Sequence, residues 1–249
     1  NQLNKREKMT NANQLKVKLF ADGADLKSML DLYKDPNIKG FTTNPTLMKK
    51  AGITDYEKFA KQVLLEIPDR PVSFEVFADD LDDMFVQAKT IASWGSNVNV
   101  KIPVTNTKGE FTGPIIKRLS GLGVQLNITA VFTQEQVRTI VENLSSDTAA
   151  IVSVFAGRIA DSGLDPMPIM SECVEILKDF PEAELLWASP REFLNIVQAD
   201  QVGCHIITAP PDLLIKMKLL GKDLTKFSLE TVQMFYNDAQ EAGYTINIK

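Results

Sequence analysis

Eight short β-rich runs recur along this chain, each followed by a segment with helical apolar spacing. The runs are Val17–Asp22, Ile38–Asn44, Val72–Phe77, Val98–Thr105, Val124–Thr129, Ile151–Phe155, Leu185–Ser189 and Cys204–Thr208. Amphipathic stretches such as Asp80–Trp94, Thr133–Leu144 and Pro166–Phe180 lie between them. The spacing is about 20 to 35 residues, the length of a strand–helix unit. Eight such units predict an α/β fold, a single (β/α)8 TIM barrel. The alternative is a doubly wound open sheet. It is disfavoured because no Gly-x-Gly-x-x-Gly follows the first strand, where a dinucleotide-binding sheet needs one.

Punctuation residues agree with this count. Thr133 with Gln136, and Thr54 with Glu57, have the spacing of capping boxes. Gly121 and Gly123 are placed to end one helix and open the next strand. After the eighth unit, Leu229, Val232, Phe235, Ala239 and Ala242 recur at helical spacing and predict an extra C-terminal helix from about Ser228 to Ala242. Such a helix can pack on its own barrel or on a neighbouring subunit. The expected organisation is therefore an extension over residues 1–16, a barrel over 17–221, and a C-terminal helix and tail over 222–249. Residues 1–16 are polar and aperiodic and lack a signal-peptide apolar region. They are expected to be disordered or carried over from expression, with Met9 a candidate native start.

The 249-residue chain carries a net charge of −5, which argues against a broad nucleic-acid surface. No apolar stretch approaches the roughly 18 residues of a membrane span, so no membrane partner is expected. The two cysteines, Cys173 and Cys204, have no metal-ligand spacing and read as reduced core thiols of a cytoplasmic protein. The single histidine, His205, falls on the eighth run and reads as a partly buried, hydrogen-bonded core residue.

Parallel barrel strands are normally apolar on both faces. Several strands here break that rule, and on one face only. Val98, Val100, Ile102 and Val104 share a face, which turns Asn99 and Lys101 to the other. Val72, Phe74 and Val76 alternate with Ser73 and Glu75, and Val124, Leu126 and Ile128 with Gln125, Asn127 and Thr129. Asp22, Thr42, Asn44, Ser153 and Phe155 end or follow other strands with the same parity. A closed barrel has no edges to explain such residues. The economical reading is one polar cluster at the C-terminal mouth, where barrel enzymes place their active sites. It holds one amine and two carboxylates, which make a poor transition-metal site. A buried amine loses part of its preference for the proton and can attack a carbonyl to form an imine.

Gly157-Arg158 follows the sixth run and Ser189-Pro190-Arg191 the seventh. Pro190 suits the first position of a helix. A serine hydroxyl at a helix start beside planar guanidinium groups suits a phosphate.

These residues resemble the transaldolase family, in particular its short-chain members close to fructose-6-phosphate aldolase. The matching strings are Phe20-Ala-Asp22, Gly40-Phe-Thr42-Thr-Asn44-Pro45-Thr46, Ser73-Phe-Glu75-Val76, Val100-Lys101-Ile-Pro103-Val-Thr105, Asn127-Ile-Thr129-Ala130, Phe155-Ala-Gly-Arg158-Ile159 and Ala188-Ser189-Pro-Arg191. The chain departs from the pattern at Gly23, where a hydroxyl residue is common, and at Pro190.

The resemblance implies a Schiff-base enzyme of carbohydrate metabolism and the pentose phosphate pathway, with phosphorylated sugars as partners, no cofactor, no metal and a homo-oligomeric state. Lys101 would form the imine with the ketose C2 carbonyl. Asp22 would take the C4 hydroxyl proton, and Glu75 with Thr129 would hold a proton-relaying water. Thr42, Asn44, Asn127 and Ser153 would bind donor hydroxyls or order that water, and Arg158, Ser189 and Arg191 would hold the phosphate. The expected reaction moves a dihydroxyacetone unit from sedoheptulose 7-phosphate or fructose 6-phosphate to glyceraldehyde 3-phosphate or erythrose 4-phosphate. The alternative within the family is an aldolase using free dihydroxyacetone. That branch tends to carry Gln where Glu75 stands and Tyr where Phe155 stands. A non-catalytic sugar-phosphate-binding protein is the alternative from another class; it would need the arginines but not the amine.

Overall fold

The structure, a computed structural model, describes residues 14–248. Eight parallel strands close into a barrel in sequence order. They are β1 (Lys18–Asp22), β2 (Ile38–Thr42), β3 (Val72–Glu75), β4 (Val98–Pro103), β5 (Leu126–Val131), β6 (Ala150–Val154), β7 (Ala183–Trp187) and β8 (Ile206–Ala209). Helices lie between successive strands, so the (β/α)8 expectation holds. The outward residues Phe41, Phe74, Val100, Ile102, Leu126, Ile128, Val152 and Trp187 are fully buried beneath that helical layer. Removal of this apolar surface from water is the main force closing the barrel.

The interior is divided. Phe20, Ile151, Leu186, Ala188 and Ile206 form an apolar cluster on one side. The Phe20 ring reaches across to β2, where a Cβ on Gly40 would meet its Cζ at 2.5 Å. Gly40 is thus required by close approach. The opposite side, from β2 to β5, presents Thr42, Ser73, Asn99, Lys101 and Asn127, all buried.

Local details move some expected boundaries. Thr133 and Gln136 form the expected capping box. Thr54 does not cap; the side chain of Asp55 accepts from Lys58 N and starts the helix Tyr56–Glu66. β5 runs two residues further than its sequence pattern implied, because its register with β6 shifts between Ile128 and Val131. Ala130 takes a φ of 59° there, and the irregularity re-aims the strand end. Pro190 does not begin a helix, and the next helix spans Leu194–Gln201. Ser189 adopts a φ of 53°. Asn195 Oδ1 accepts from both Arg191 N and Glu192 N. These two devices hold the segment as a loop.

Leu15–Ile215 form one compact unit, and the chain from Lys216 belongs to a second. In the first, the backbone amides of Lys16 and Val17 donate to Asp200 Oδ1 at 2.6 and 2.9 Å, anchoring the start of β1. In the second, the helix Leu224–Glu241 begins four residues before its expected start, because Asp223 caps it through Lys226 N. Lys222 pairs with Glu230. The expectation of an unstructured extension falls, up to residue 13, outside the described residues.

Candidate active site

A cavity of about 550 Å³ opens at the C-terminal mouth of the barrel. Every candidate residue named from sequence lines it: Asp22, Thr42, Asn44, Glu75, Lys101, Asn127, Thr129, Ser153, Phe155, Arg158, Ser189 and Arg191. Residues remote in sequence meet here because strand parity turns them inward and the barrel brings their C-terminal ends together.

Lys101 is 7% exposed. Its Nζ donates to the backbone carbonyl of Thr43 at 2.9 Å. That contact follows from an opening in the sheet. β2 and β3 are in register only at Phe41–Val72 and Thr42–Ser73. Beyond this point side chains replace the ladder: Thr43 Oγ1 donates to Ser73 O at 2.7 Å, and the Tyr56 hydroxyl bonds both the amide and the carbonyl of Glu75 at 2.8 Å. Sequence pattern does not reveal this seam, since it depends on register and on a helix residue far from the strand.

Two carboxylates face the amine. Lys101 forms no ion pair within 4 Å among the described residues, yet its charge is felt by both acids. Burial raises the pKa of Asp22, opposed by the Lys101 charge and by the hydrogen bond from Thr42. Burial also raises Glu75, again opposed by Lys101. Both side chains keep an edge on the cavity while lying deep enough for desolvation to dominate.

Asn127 is clamped. Ser153 Oγ donates to its Oδ1 at 2.6 Å, and its Nδ2 donates to Ser73 Oγ at 3.1 Å. The Ser153 proton is therefore spent on orienting Asn127. Asn44 caps the helix Pro45–Lys50 through Leu47 N, which uses its oxygen and leaves its NH2 as the group available to a ligand. Thr129 is 3% exposed and has no side-chain hydrogen bond among the described residues. Phe155 stacks on Phe132 with centroids 5.9 Å apart.

Arg158, Ser189 and Arg191 form a further corner of the cavity, on the segments that follow β6 and β7. Ser189 Oγ accepts from Arg158 N at 3.2 Å. The Ser189 carbonyl presses on Gly157, where a Cβ would lie 1.4 Å from it, so only glycine fits. Arg191 donates through Nε to both oxygens of Asp161 and through Nη2 to Oδ2 at 2.5 Å. Its Nη1 hydrogens remain for a ligand. Asp161 in turn is held below the usual carboxylate range by this bond.

Thr208, Tyr56 and Asp161 were not singled out from sequence. Thr208 carried the same signal as the others, a polar residue between outward Ile207 and Ala209 on the eighth run. Tyr56 and Asp161 lie on helices, where strand parity says nothing. His205 is half-buried, and its Nδ1 accepts from Leu185 N at 2.9 Å. No described helix is long and apolar enough to cross a membrane.

Comparison with known proteins gives consistent matches. The model of the Transaldolase/Fructose-6-phosphate aldolase family matches residues 19–247. A protein of Dehalococcoides mccartyi named "Probable transaldolase" is 38% identical over 202 residues, 81% of this chain and 90% of that protein. Another so named, from Nitrosopumilus maritimus, is 34% identical over 216 residues, 86% of this chain and 92% of its own. A solved structure from Burkholderia cenocepacia, named provisionally as a phosphonomutase, superposes with a TM-score of 0.55 at 10% identity, over 88% of this chain and 94% of that one. That last likeness concerns the fold alone. With a family match spanning nearly the whole barrel and relatives above 30% identity, the chain belongs to the transaldolase/fructose-6-phosphate aldolase family.

Proposed function

We propose that this protein is a Schiff-base transaldolase. It moves a dihydroxyacetone unit from fructose 6-phosphate or sedoheptulose 7-phosphate to erythrose 4-phosphate or glyceraldehyde 3-phosphate. The observation that carries the reading is Lys101: a buried amine, not ion-paired within 4 Å among the described residues, whose charge acts on two desolvated carboxylates in the same cavity as two arginines.

The chemistry follows from these positions. Lys101 Nζ attacks the ketose C2, and the carbinolamine loses water to give an iminium. Glu75, with Thr129, holds the water that carries protons in and out of these steps. Asp22 takes the proton from the C4 hydroxyl, the C3–C4 bond breaks, and its electron pair enters the iminium to form an enamine. The aldose phosphate leaves, another binds, and the steps reverse. The iminium is the electron sink, so the scheme calls on no metal and no organic cofactor. Asn44 and the clamped Asn127 bind donor hydroxyls. Arg158, Ser189 and Arg191 bind the phosphate.

Transfer is favoured over release of free dihydroxyacetone because Phe155 offers no hydroxyl near the imine to position a hydrolytic water, and Glu75 is a carboxylate rather than an amide. As in the family reading, the working form is a homo-oligomer, which sedimentation would establish.

Borohydride added with fructose 6-phosphate should leave a reduced adduct on the peptide containing Lys101. Lys101→Ala and Lys101→Arg should both be inactive, since a guanidinium cannot serve as the amine at neutral pH. An adduct on another lysine, or full activity in Lys101→Ala, would overturn the assignment.

A further inference from the structure

Thr208 lies on β8, 5% exposed, at the wall of the same cavity. Its Oγ1 is 2.5 Å from Thr42 Oγ1 on β2. Thr42 Oγ1 is in turn 2.9 Å from Asp22 Oδ1. The three groups sit on adjacent strands of the closed barrel, β8, β1 and β2, at the level where Phe20 pairs with Thr208 and Asp22 with Thr42.

A proton count fixes the direction of this chain. A threonine hydroxyl has one proton to donate, and an ionised carboxylate can only accept. When Asp22 is ionised, the bond to Oδ1 must be donated by Thr42, which exhausts its proton. The Thr42–Thr208 bond must then be donated by Thr208. We propose that Thr208 is a positioning residue for Asp22. Its donated hydrogen bond leaves Thr42 one useful rotor state, with the hydroxyl pointed at Oδ1. Asp22 Oδ2 has no hydrogen-bond partner among the described residues, and it is left to face the substrate hydroxyl.

The proton that Asp22 takes from the substrate lands on Oδ2. Oδ1 is then the carbonyl oxygen of the neutral acid and still accepts from Thr42. The same chain, in the same direction, thus serves both charge states that the carboxyl visits in a turnover.

This inference rests on the role proposed for Asp22. Its test uses the full-length enzyme with fructose 6-phosphate and erythrose 4-phosphate, measuring kcat and KM across pH. Thr208→Val keeps the β-branched shape and removes the donor. It should lower kcat roughly three- to tenfold near neutral pH, move the acid limb of kcat to higher pH, and leave KM within about twofold. Thr208→Ser should restore the wild-type limb. Thr208→Ala serves as a second donor-free variant if the valine form does not fold.

Wild-type kcat and acid limb in a folded, donor-free variant would overturn the inference while Asp22 keeps its role, provided Asp22→Asn is inactive. A Thr208→Ser limb shifted as far as that of Thr208→Val would overturn it too, because the hydroxyl would then not be the cause. Wild-type activity in Asp22→Asn would remove the role of Asp22 and this inference together.

Discussion

The phenolic oxygen of Tyr56 lies 2.8 Å from both the amide nitrogen and the carbonyl oxygen of Glu75. A side chain from the helix Tyr56–Glu66 thereby does what a neighbouring strand does elsewhere in the barrel. Its ring is held edge-on by Phe74 and Phe77, with centroids 6.1 and 4.3 Å away. Tyr56→Phe should keep that packing and leave two backbone groups of Glu75 unpaired. An unsatisfied buried group costs about 1–3 kcal/mol. The expected result is a lower melting temperature and a several-fold slower imine-forming step, read by single-turnover borohydride trapping. Wild-type trapping kinetics would mean that the backbone at Glu75 is held without the phenol.

Replacing Arg158 or Arg191 by Ala should weaken phosphorylated substrates about ten- to hundredfold, as expected for a lost charge-assisted bond of roughly 1.5–3 kcal/mol. Unphosphorylated donors should be little affected. Comparing kcat/KM for fructose 6-phosphate and fructose separates the cases, and equal losses on both would assign the arginines a structural role.

Gly157→Ala places a methyl group where the Ser189 carbonyl now sits. The loop carrying Ser189 and Arg191 must then move. The variant should lose discrimination for the phosphate along with some thermal stability, in contrast to the single arginine variants, which should melt close to wild type. Unchanged phosphate discrimination would show that the corner tolerates displacement.

Asp22 and Glu75 both hold their protons more tightly in the folded barrel than in the unfolded chain. For such groups the folded state binds the extra proton, so their contribution to stability is fully present below the unfolded pKa. It is lost as pH rises through the raised folded value. At neutral pH both groups are therefore a cost to the folded state. Asp22→Asn should therefore melt higher than wild type at pH 7, with the gain shrinking toward pH 4, while activity is lost. A gain that persists unchanged at pH 4 would assign it to something other than this proton.

Phe155→Tyr should raise cleavage to free dihydroxyacetone at the expense of transfer, because it puts a hydroxyl at the cavity wall. Wild-type enzyme should show fast exchange between fructose 6-phosphate and erythrose 4-phosphate, with little free dihydroxyacetone. Faster synthesis of fructose 6-phosphate from free dihydroxyacetone than transfer between sugars would favour the aldolase alternative.

The barrel was legible because its strands alternate. Val98, Val100 and Ile102 must face the helices, and that alone turns Lys101 inward. The same parity brought Asp22, Glu75 and Asn127 to one mouth. What parity cannot show is where a ladder ends. The β2–β3 seam, with Thr43 O accepting from Lys101 and Tyr56 closing over Glu75, depends on register between strands and on a helix. The helix expected at Pro190 failed for a similar reason. The composition suited a helix start, but Asn195, five residues on, ties the loop backbone from within. Asp161 was invisible because a helix residue meets Arg191 only once two loops are brought together.

The cavity opens at the C-terminal mouth of the barrel. Phe20, Ile151, Leu186, Ala188 and Ile206 pack one side of the interior, and the inside of such a barrel is a filled core rather than a pore, so the chamber has one doorway. On the proposed chemistry, the first aldehyde must depart through the opening by which the second arrives, and the two compete for one arginine corner. Traffic through a single door imposes an order: the enzyme must stand loaded with the three-carbon fragment and otherwise empty before the acceptor enters. Initial rates at several fixed donor concentrations should then give parallel double-reciprocal lines, with the acceptor inhibiting at high concentration by occupying the unloaded enzyme.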